Sequence, residues 1–202
     1  MTTTAQSVPI LILAAGRSAR MRGRDKLLED VGGVPLLQRQ IAMAQATGQP
    51  VFVAVPPDAT ARLAIIAQNK ATPLLITDAD EGLSASLRGG VAQLPDAPAF
   101  LVMLADLVAL ETADLCAVMQ ARDTAPDTMI WRGTTAQGQP GHPILFAASL
   151  RPTFADLTGD KGADALVRKH ASETHLVRLP DNRARLDLDT PEEWDAWRNA
   201  SL

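Results

Sequence analysis

The sequence predicts an α/β protein in which helices cover both faces of a mostly parallel, Rossmann-like sheet. Three observations indicate this three-layer α/β/α class. Short apolar runs alternate with stretches of helical length, a polar loop with glycines follows the first apolar run, and no segment is repeated. The chain of 202 residues is long enough for one such domain with a sizeable core. We therefore expect a single domain at residues 8–202 after a flexible N-terminus at 1–7.

Apolar runs and helical spacing place the individual elements. The apolar runs predict strands at 8–13, 51–55, 73–76, 99–104, 129–132 and 174–178. Helices are predicted at 35–47, 59–69, 84–94, 111–122 and from 191 onwards. The last helix begins with a capping box, in which Thr190 and Glu193 flank Pro191 at the first helical position. Ser84 is the expected N-cap of the third helix, and residues 133–165, rich in glycine and proline, predict a partly separate, small accessory lobe.

The composition excludes several classes of partner. There are 19 Lys and Arg against 23 Asp and Glu, a formal net charge of −4, and no Tyr. Such a chain lacks the broad positive surface and the stacking aromatics that nucleic-acid binding calls for. The first apolar run, at 8–15, is far too short to span a membrane, and Cys116, the single cysteine, allows no intramolecular disulfide. We therefore expect a cytoplasmic protein with no nucleic-acid partner and no membrane partner.

The segment after the first predicted strand is rich in cations. It reads LAAGRSARMRGRDK over residues 13–26 and carries five positive charges, on Arg17, Arg20, Arg22, Arg24 and Lys26. It is neither a Walker loop nor a GxGxxG dinucleotide loop. Its small residues allow backbone N–H groups to approach a ligand, and its cations can neutralise a triphosphate. A solvated basic loop is the alternative, but the position directly after a buried strand favours phosphate binding.

Three aspartates are the candidate metal ligands. Asp106 follows a buried apolar run, where an unpaired carboxylate would be costly and Mg²⁺ would stabilise it. Asp187 and Asp189 are separated by Leu188, so on an extended segment both carboxylates point to one face. A turn or N-cap role for Asp106 and a capping role for Asp189 are the alternatives. Because ligands of open α/β sheets bind at the carboxyl ends of the strands, Asp106 and the cation-rich loop should converge there.

The cation-rich loop also carries a resemblance to a known family. LAAGRSARM and the DK that follows resemble the LxxGxxxRM…K signature of the MobA-like nucleotidyltransferases, which have a GT-A-like Rossmann fold. The similarity covers nearly the whole chain and is greatest to the molybdenum cofactor cytidylyltransferases. It implies that the LAAG backbone and three cations bind an NTP, the residues being Leu13, Ala14, Ala15, Gly16, Arg17, Arg20 and Lys26. Ala15 implies CTP rather than GTP, and Arg20, Lys26 and Asp106 are the implied catalytic residues.

The aspartate segments resemble the same family, with departures. LADLV at 104–108 is similar to the family's LxDxP-like metal segment, but Val108 stands in place of the usual proline and Ala105 in place of glycine. DLDTPEE at 187–193 is similar to the family's DxDTPED segment. The resemblance implies that Asp106 binds Mg²⁺ together with Asp187, Asp189 or both. The shape of the loop after Asp106 is left open by the missing proline.

Three further segments resemble nucleotide-binding and acceptor-binding segments of the family. GLSASLR at 82–88 implies nucleotide contacts from Ser84 and Ser86. The segments at 139–146 and 157–163 would line the acceptor side, within the lobe at 133–165, with Gly141, His142, Pro143, Gly159, Asp160 and Gly162 as the implied acceptor-binding residues. Asp164 stands where the family commonly has arginine, which leaves one acceptor contact open.

The resemblance implies a reaction as well as a fold. CMP would pass from CTP to molybdopterin, the organic part of the molybdenum cofactor, with Mg²⁺ as cofactor and release of pyrophosphate. Such a transfer depends on positioning and electrostatics rather than on a covalent nucleophile. Guanylyl transfer to the same acceptor, transfer to another phosphorylated metabolite, and a non-catalytic nucleotide-binding module in molybdoenzyme maturation remain alternatives. A molybdoenzyme or its chaperone is the expected protein partner.

Overall fold

The computed structural model describes residues 7–159 and 162–200. Its strands are β1 (Ile10–Leu13), β2 (Asp30–Val31), β3 (Val34–Pro35), β4 (Val51–Val55), β5 (Thr72–Leu75), β6 (Ala99–Leu104), β7 (Ile130–Thr134), β8 (Pro140–Ala147) and β9 (Thr174–Arg178). Its α-helices are α1 (Leu36–Gln45), α2 (Thr60–Gln68), α3 (Leu83–Gln93), α4 (Thr112–Thr124), α5 (Asp164–Lys169) and α6 (Pro191–Ala200). The N-terminal prediction at 1–7 falls outside the described residues, except for the exposed Ser7.

Seven strands form one sheet in the order β5-β4-β1-β6-β8-β7-β9, and β2 and β3 form a separate hairpin. The strands β5, β4, β1 and β6 are mutually parallel. Only β8 runs the other way, because it pairs antiparallel with both β6 and β7, while β9 is parallel to β7. The predicted mostly parallel sheet is therefore confirmed.

The sheet is buried on both faces, which explains why its central strands are almost wholly apolar. In β1, Ile10 and Ile12 belong to one core and Leu11 and Leu13 to the other, as the two-residue period of a strand requires. The first core is covered by α1, α2, α4 and α6. The second is covered by α3, α5 and the 3₁₀ segment Ala148–Asp156. The predicted three-layer α/β/α class is confirmed by this arrangement.

The region predicted as a small accessory lobe, 133–165, contributes strands to the main sheet. β7 and β8 are integral strands, and β8 lies between β6 and β7. Glycine and proline indicated irregular structure because both are unusual in central strands. Pro143 is tolerated because the ladder between β7 and β8 is irregular beside it, between Arg132 and Thr134. Gly141 is required because a Cβ atom there would lie 2.1 Å from Ala184 O.

The two predicted helix caps have different outcomes. Thr190 and Glu193 form the expected capping box at α6, with Glu193 N donating to Thr190 Oγ1 and Thr190 N donating to Glu193 Oε2. The N-cap of α3 is Gly82, so the prediction of Ser84 as its cap is wrong. Ser84 lies inside the helix, and its hydroxyl donates to Thr158 O instead. No helix in the described part of the chain is long and apolar enough to cross a membrane.

Candidate active site

Asp106, Asp187 and Asp189 come together at the carboxyl ends of the central strands. Asp106 follows β6, and the other two aspartates lie on the segment that leads into α6. One carboxylate oxygen from each residue lies within 4.8 Å of the others. Leu188 points the opposite way into the core and is 5% exposed, as predicted for an extended segment. The three carboxylates therefore form one cluster, which we call the aspartate triad.

The loop after Asp106 holds the two halves of the aspartate triad together. Leu107 and Asp187 form an isolated antiparallel bridge, and Val108 N donates to Leu186 O at 3.2 Å. Proline has no N–H group, so the residue usual in the family could not make this second bond. The buried side chain of Gln40 on α1 adds a third constraint, because its Nε2 donates to Leu107 O at 2.8 Å.

Lys26 from the cation-rich loop lies inside the aspartate triad. Its Nζ donates to Asp106 Oδ2 at 2.5 Å and to Asp189 Oδ1 at 2.8 Å. Arg20 adds a second cation on the solvent side, with Nη2 2.5 Å from Asp189 Oδ2. Burial alone would lower the pKa of Lys26, but the charges and hydrogen bonds of Asp106 and Asp189 outweigh it and raise this pKa. Lys26 is therefore firmly cationic.

The same ionic contacts give Asp187 and Asp189 opposite pKa shifts. Burial would raise the pKa of Asp189, but hydrogen bonding and charge from Lys26 and the charge of Arg20 lower it overall. Among the described residues, no cation forms an ion pair with Asp187. The pKa of Asp187 is raised by partial burial and by the negative charges of Asp189 and Asp106. The triad thus holds more negative charge than its two cations neutralise at short range.

The aspartate triad fits a divalent metal ion. Asp106 Oδ1 is buried and has no hydrogen-bond partner among the described residues, although Oδ2 of the same carboxylate is bound by Lys26. A buried oxygen without a partner is costly, and a cation would satisfy it. Hard divalent cations take carboxylate oxygens as ligands, commonly few from the protein and the remainder from phosphate and water. The three aspartates predicted as metal ligands are thus placed where they could share one ion.

Three of the four residues of the LAAG segment line a cavity of about 310 Å³ beside Asp106, whereas Ala14 is buried and does not line it. One wall is formed by Leu13, Ala15, Gly16 and Arg17, and the other includes the start of α3 at Gly82 and Ser86. Arg17 forms an ion pair with Asp80, which also lines the cavity. Ser18 and Arg22 adopt left-handed backbone conformations with φ of 51° and 52°, a strained feature that is common in ligand-binding loops. The loop and Asp106 therefore converge, as predicted from the fold.

All five cations of the loop are paired with carboxylates. Besides the contacts of Arg17, Arg20 and Lys26, Arg22 pairs with Glu192 and Arg24 with Glu29. The cation-rich loop is thus held by ion pairs to the 3₁₀ turn before α3, to Asp106, to its own Glu29 and to the start of α6, rather than left as a solvated basic surface. The pairs of Arg17 and Arg22 are exposed and contribute little stability, so a triphosphate could replace their carboxylate partners at low cost, whereas the pairs of Lys26 are largely buried.

Arg62 and Asp25 support the loop and were missed by the sequence analysis. The Arg62 guanidinium on α2 is buried and donates to Ala14 O at 2.6 Å and to Gly16 O at 2.9 Å. It also binds both carboxylate oxygens of Asp25, at 2.7 and 2.8 Å. Asp25 in turn accepts the amide of Leu27 and so caps the short 3₁₀ turn that carries Lys26. The available signal was Arg62 itself, a lone charge in the apolar helix sequence TARLAIIAQ.

The predicted nucleotide and acceptor residues are placed unevenly. Ser86 lines the 310 Å³ cavity, but Ser84 is fully buried beneath it and bonded to the 158–159 backbone. Of the predicted acceptor residues, His142 lines a second, smaller cavity. Four others lie at close backbone contacts, in turns or beside the cis peptide bond of β8: Gly141, Pro143, Gly159 and Gly162. Asp160 lies outside the described residues. A Cβ atom at Gly162 would lie 2.8 Å from Leu83 Cδ2, and Gly162 has a left-handed φ of 55°, so both packing and backbone conformation favour glycine there.

Comparison with known families assigns the class of protein, a nucleotidyltransferase. Residues 10–174 match the model of the MobA-like NTP transferase domain, and the chain belongs to that family.

Individual relatives agree with this placement. The protein is 31% identical over 124 residues to the bifunctional protein GlmU of Clavibacter sepedonicus, a match that covers 59% of this chain and only 25% of GlmU. It is 28% identical over 201 residues to the purine catabolism protein PucB of Bacillus subtilis strain 168, covering 94% of this chain and 95% of PucB. The crystal structure of Rv0371c from Mycobacterium tuberculosis H37Rv superposes with a TM-score of 0.82 and 26% identity, covering 96% of this chain and 98% of Rv0371c.

Proposed function

We propose that the protein transfers CMP from CTP to molybdopterin and releases pyrophosphate, with Mg²⁺ as cofactor. The observation that carries the proposal is the buried Asp106 Oδ1 within the aspartate triad, which has no hydrogen-bond partner in the part of the chain that the structure describes and lies directly beside the cavity lined by Ala15, Gly16 and Arg17. Membership of the MobA-like NTP transferases supports nucleotidyl transfer as the reaction. The choice of CTP and of molybdopterin rests on the resemblance of the LAAGRSARM segment. A molybdoenzyme or its chaperone would receive the product.

The chain's own residues would act by binding and by charge. The backbone of the LAAG segment and Ser86 would hold the nucleotide, and Arg17, Arg20 and Lys26 would neutralise the triphosphate. A phosphate oxygen of the acceptor would attack the α-phosphorus, and the bond from that phosphorus to the β-phosphate oxygen would break as pyrophosphate leaves. Mg²⁺, held by Asp106 with Asp187 or Asp189, would supply charge stabilisation of the phosphoryl oxygens. No covalent nucleophile is needed, because orientation and preorganised charge lower the barrier.

A pyrophosphate-release screen tests the proposal. CTP, GTP, ATP and UTP are offered in turn to the full chain with Mg²⁺, with and without molybdopterin. We expect release that requires molybdopterin and is fastest with CTP. Fastest release with GTP would indicate a guanylyltransferase, and release with a different phosphorylated acceptor would replace molybdopterin. CTP binding without any release would indicate a non-catalytic module.

A pair of variants connects the activity to the aspartate triad. Asp106→Asn keeps the size of the side chain and removes its charge, so it should lower turnover by at least about 100-fold while the protein stays folded. Asp123→Asn, an exposed aspartate on α4, is the matched control and should keep full turnover. Full turnover in Asp106→Asn would show that the chemistry takes place elsewhere.

A further inference from the structure

Two adjacent side chains of α1, Arg39 and Gln40, bind the backbone of the loop between β6 and α4, which carries the first aspartate of the triad. Gln40 Nε2 donates to Leu107 O at 2.8 Å. Arg39 Nη1 donates to Val108 O at 2.8 Å, and its Nη2 donates to Leu110 O at 3.4 Å. Three carbonyl groups of one short loop are therefore held by a single helix.

Gln40 is an unusual residue for its apolar surroundings. It is 0% exposed, and among the described residues its Oε1 has no hydrogen-bond partner. A buried acceptor without a partner is costly, and an apolar side chain of similar length would avoid that cost. Such a side chain would, however, leave Leu107 O without its donor. Glutamine is therefore explained at this position by what its N–H group binds, which is the loop.

The opposite side of the same loop binds the C-terminal segment of the aspartate triad. Leu107 and Asp187 form the antiparallel bridge, and Val108 N donates to Leu186 O at 3.2 Å. The backbone of residues 107 and 108 is thus bound by α1 on one side and by the segment that carries Asp187 on the other. A change in the conformation of the loop would therefore alter the separation between Asp106 and Asp187.

The helix that makes these contacts also supports the 3₁₀ turn Lys26–Leu28. Leu36 N, at the start of α1, donates to Glu29 O at 2.9 Å, and Glu29 directly follows that turn. Leu27 of the turn and Leu37 of α1 are buried in the same core. The lysine turn and the loop after β6 therefore share α1 as a common support.

We propose that Arg39 and Gln40 are positioning residues of the aspartate triad, which hold the loop after Asp106 in the conformation that lets the three carboxylates share one metal ion. This inference rests on the proposed function, because it takes the triad as the Mg²⁺ site. Both side chains act through the loop backbone and do not themselves serve as ligands. Mg²⁺ tolerates little departure from its preferred ligand geometry, so small movements of the loop change its affinity.

The contacts from α1 compensate for a departure from the family pattern. Val108 stands where the family's metal segment usually has proline, whose ring fixes φ and restricts the backbone. Valine permits a wider range of φ, but it supplies the N–H group for the bond to Leu186 O. The loop conformation that a proline would restrict by covalent geometry is held here by Arg39 and Gln40 from outside the loop.

Titration of the full chain with Mn²⁺ tests the positioning role without any turnover. Gln40→Met keeps the length of the side chain and removes the donor to Leu107 O, and Arg39→Met removes the donor to Val108 O. We expect each variant to bind Mn²⁺ about tenfold more weakly than the wild type, as measured by electron paramagnetic resonance. Arg39→Lys keeps the charge and one donor group, so its affinity should lie between those of the wild type and Arg39→Met.

The same helix offers a matched control. Gln45, in the last turn of α1, also donates its Nε2 to a backbone carbonyl, that of Asn69 at the end of α2, at 2.7 Å. Gln45→Met therefore removes a comparable hydrogen bond that does not involve the loop after β6. Its Mn²⁺ affinity should equal that of the wild type.

The dependence of turnover on Mg²⁺ distinguishes a positioning residue from a ligand. Gln40→Met retains all three carboxylates, so a raised Mg²⁺ concentration should refill the site and restore turnover to within about threefold of the wild type. Asp106→Asn lacks a charged ligand and should not recover. Neither Arg39 nor Gln40 lines the nucleotide cavity, the 310 Å³ space beside Asp106, so the KM for CTP at saturating Mg²⁺ should stay near that of the wild type.

The outcomes separate this inference from the proposed function. Unchanged Mn²⁺ affinity in both Gln40→Met and Arg39→Met would overturn the positioning role. A lower melting temperature with unchanged Mn²⁺ affinity would assign both residues to stability alone and would also overturn it. Arg39 is partly exposed, so Arg39→Met decides the question if Gln40→Met does not fold. Weaker Mn²⁺ binding in both variants, without pyrophosphate release from any NTP by the wild type, would contradict the proposed reaction and leave the positioning role standing.

Discussion

Lys26 bridges two members of the aspartate triad, since its ammonium group lies 2.5 Å from Asp106 Oδ2 and 2.8 Å from Asp189 Oδ1. A divalent cation bound by the same carboxylates would share these oxygens with Lys26, and like charges at short range repel. The lysine therefore has two opposed effects. It stabilises the triad when no other cation is near, and it weakens the attraction of the triad for a metal ion.

Replacing Lys26 by methionine should separate these effects. We expect Lys26→Met to bind Mn²⁺ at least about threefold more tightly than the wild type, because one positive charge near the triad is removed. Turnover should nevertheless fall by about 100-fold, because the cation that neutralises the triphosphate is gone. Titration with Mn²⁺ by electron paramagnetic resonance measures the affinity, and Lys169→Met, exposed on α5, is the control. Weaker Mn²⁺ binding in Lys26→Met would contradict the competition.

Gly16 offers a test of the nucleotide cavity that spares the fold. A Cβ atom added there would meet no protein atom within 4 Å, and its φ is not in the left-handed region. Gly16 also lines the cavity, so a methyl group would occupy space that the ligand needs. Gly16→Ala should therefore keep the melting temperature and weaken CTP binding roughly tenfold, as expected when a phosphate is displaced. Calorimetric titration gives the affinity, and unchanged CTP binding would place the phosphates elsewhere.

At the scale of elements, α2 braces the cation-rich loop through Arg62. The guanidinium donates hydrogen bonds to the carbonyl oxygens of Ala14 and Gly16, so both carbonyl groups point away from the ligand side of the loop. Asp25 completes the brace and caps the turn of Lys26. A buried helix residue thus sets the conformation of a surface loop, since Arg62 is 6% exposed.

Removal of one partner of this buried pair should be costly. We expect Arg62→Leu to lower the free energy of unfolding by about 3 kcal/mol, because Asp25 and two carbonyl groups lose their donor. The double variant with Asp25→Asn should be less destabilised than the sum of the singles. Arg62→Lys restores the charge but not the bidentate geometry, so it should recover stability better than CTP affinity. Chemical denaturation and CTP titration measure the two, and additive effects of Arg62 and Asp25 would contradict the brace.

The outcome of the sequence analysis varied from element to element. Val51–Val55, Ala99–Leu104 and Thr174–Arg178 have the predicted bounds, because apolar or β-branched runs end there at polar or turn residues. The 3₁₀ turns and the hairpin within 14–35 were not predicted, since docking onto neighbouring elements stabilises them. The bounds of β8 were not predicted, because Gly141 and Pro143, residues typical of loops, lie inside this strand at a close contact with Ala184 and beside a ladder irregularity.

Residues of the candidate site could be predicted only where both their side-chain chemistry and their position at the end of a strand indicated a ligand. Asp106 and Lys26 could be placed together because the carboxyl ends of parallel strands share one edge. The role of Arg62 could not be predicted, because the guanidinium of a single arginine in an apolar helix can equally well extend into solvent. Gln40 was also missed, since nothing in a helix pattern shows that its amide donates to the carbonyl group of a distant loop.

Across the whole molecule, the antiparallel strand β8 joins the parallel half of the sheet to β7 and β9. The nucleotide cavity lies over β1 and β6, and the smaller cavity lies over β6 and β8, so the two cavities meet at this junction. His142 lies on β8 at the junction, with Nδ1 3.4 Å from Val102 O. Its backbone N donates to Ala184 O at 2.9 Å, which ties β8 to the segment before the aspartate triad.

This position predicts how the stability of the whole fold depends on pH. Burial lowers the pKa of His142 to about 4 from the 6.5 of an exposed histidine, so the unfolded chain takes up a proton more readily than the folded protein. The resulting stability is present above about pH 6.5, is lost progressively as the pH falls, and is gone below about pH 4, a change on the order of 3 kcal/mol.

His142→Gln keeps a polar side chain that does not titrate in this range. Denaturant unfolding at intervals between these pH values should show a shallower loss of stability in His142→Gln than in the wild type, with His175→Gln on the partly exposed strand β9 following the wild type. Parallel pH profiles for His142→Gln and the wild type would show that His142 is protonated as readily in the folded protein as in the unfolded chain, and its imidazole would then add a positive charge to the small cavity under acidic conditions.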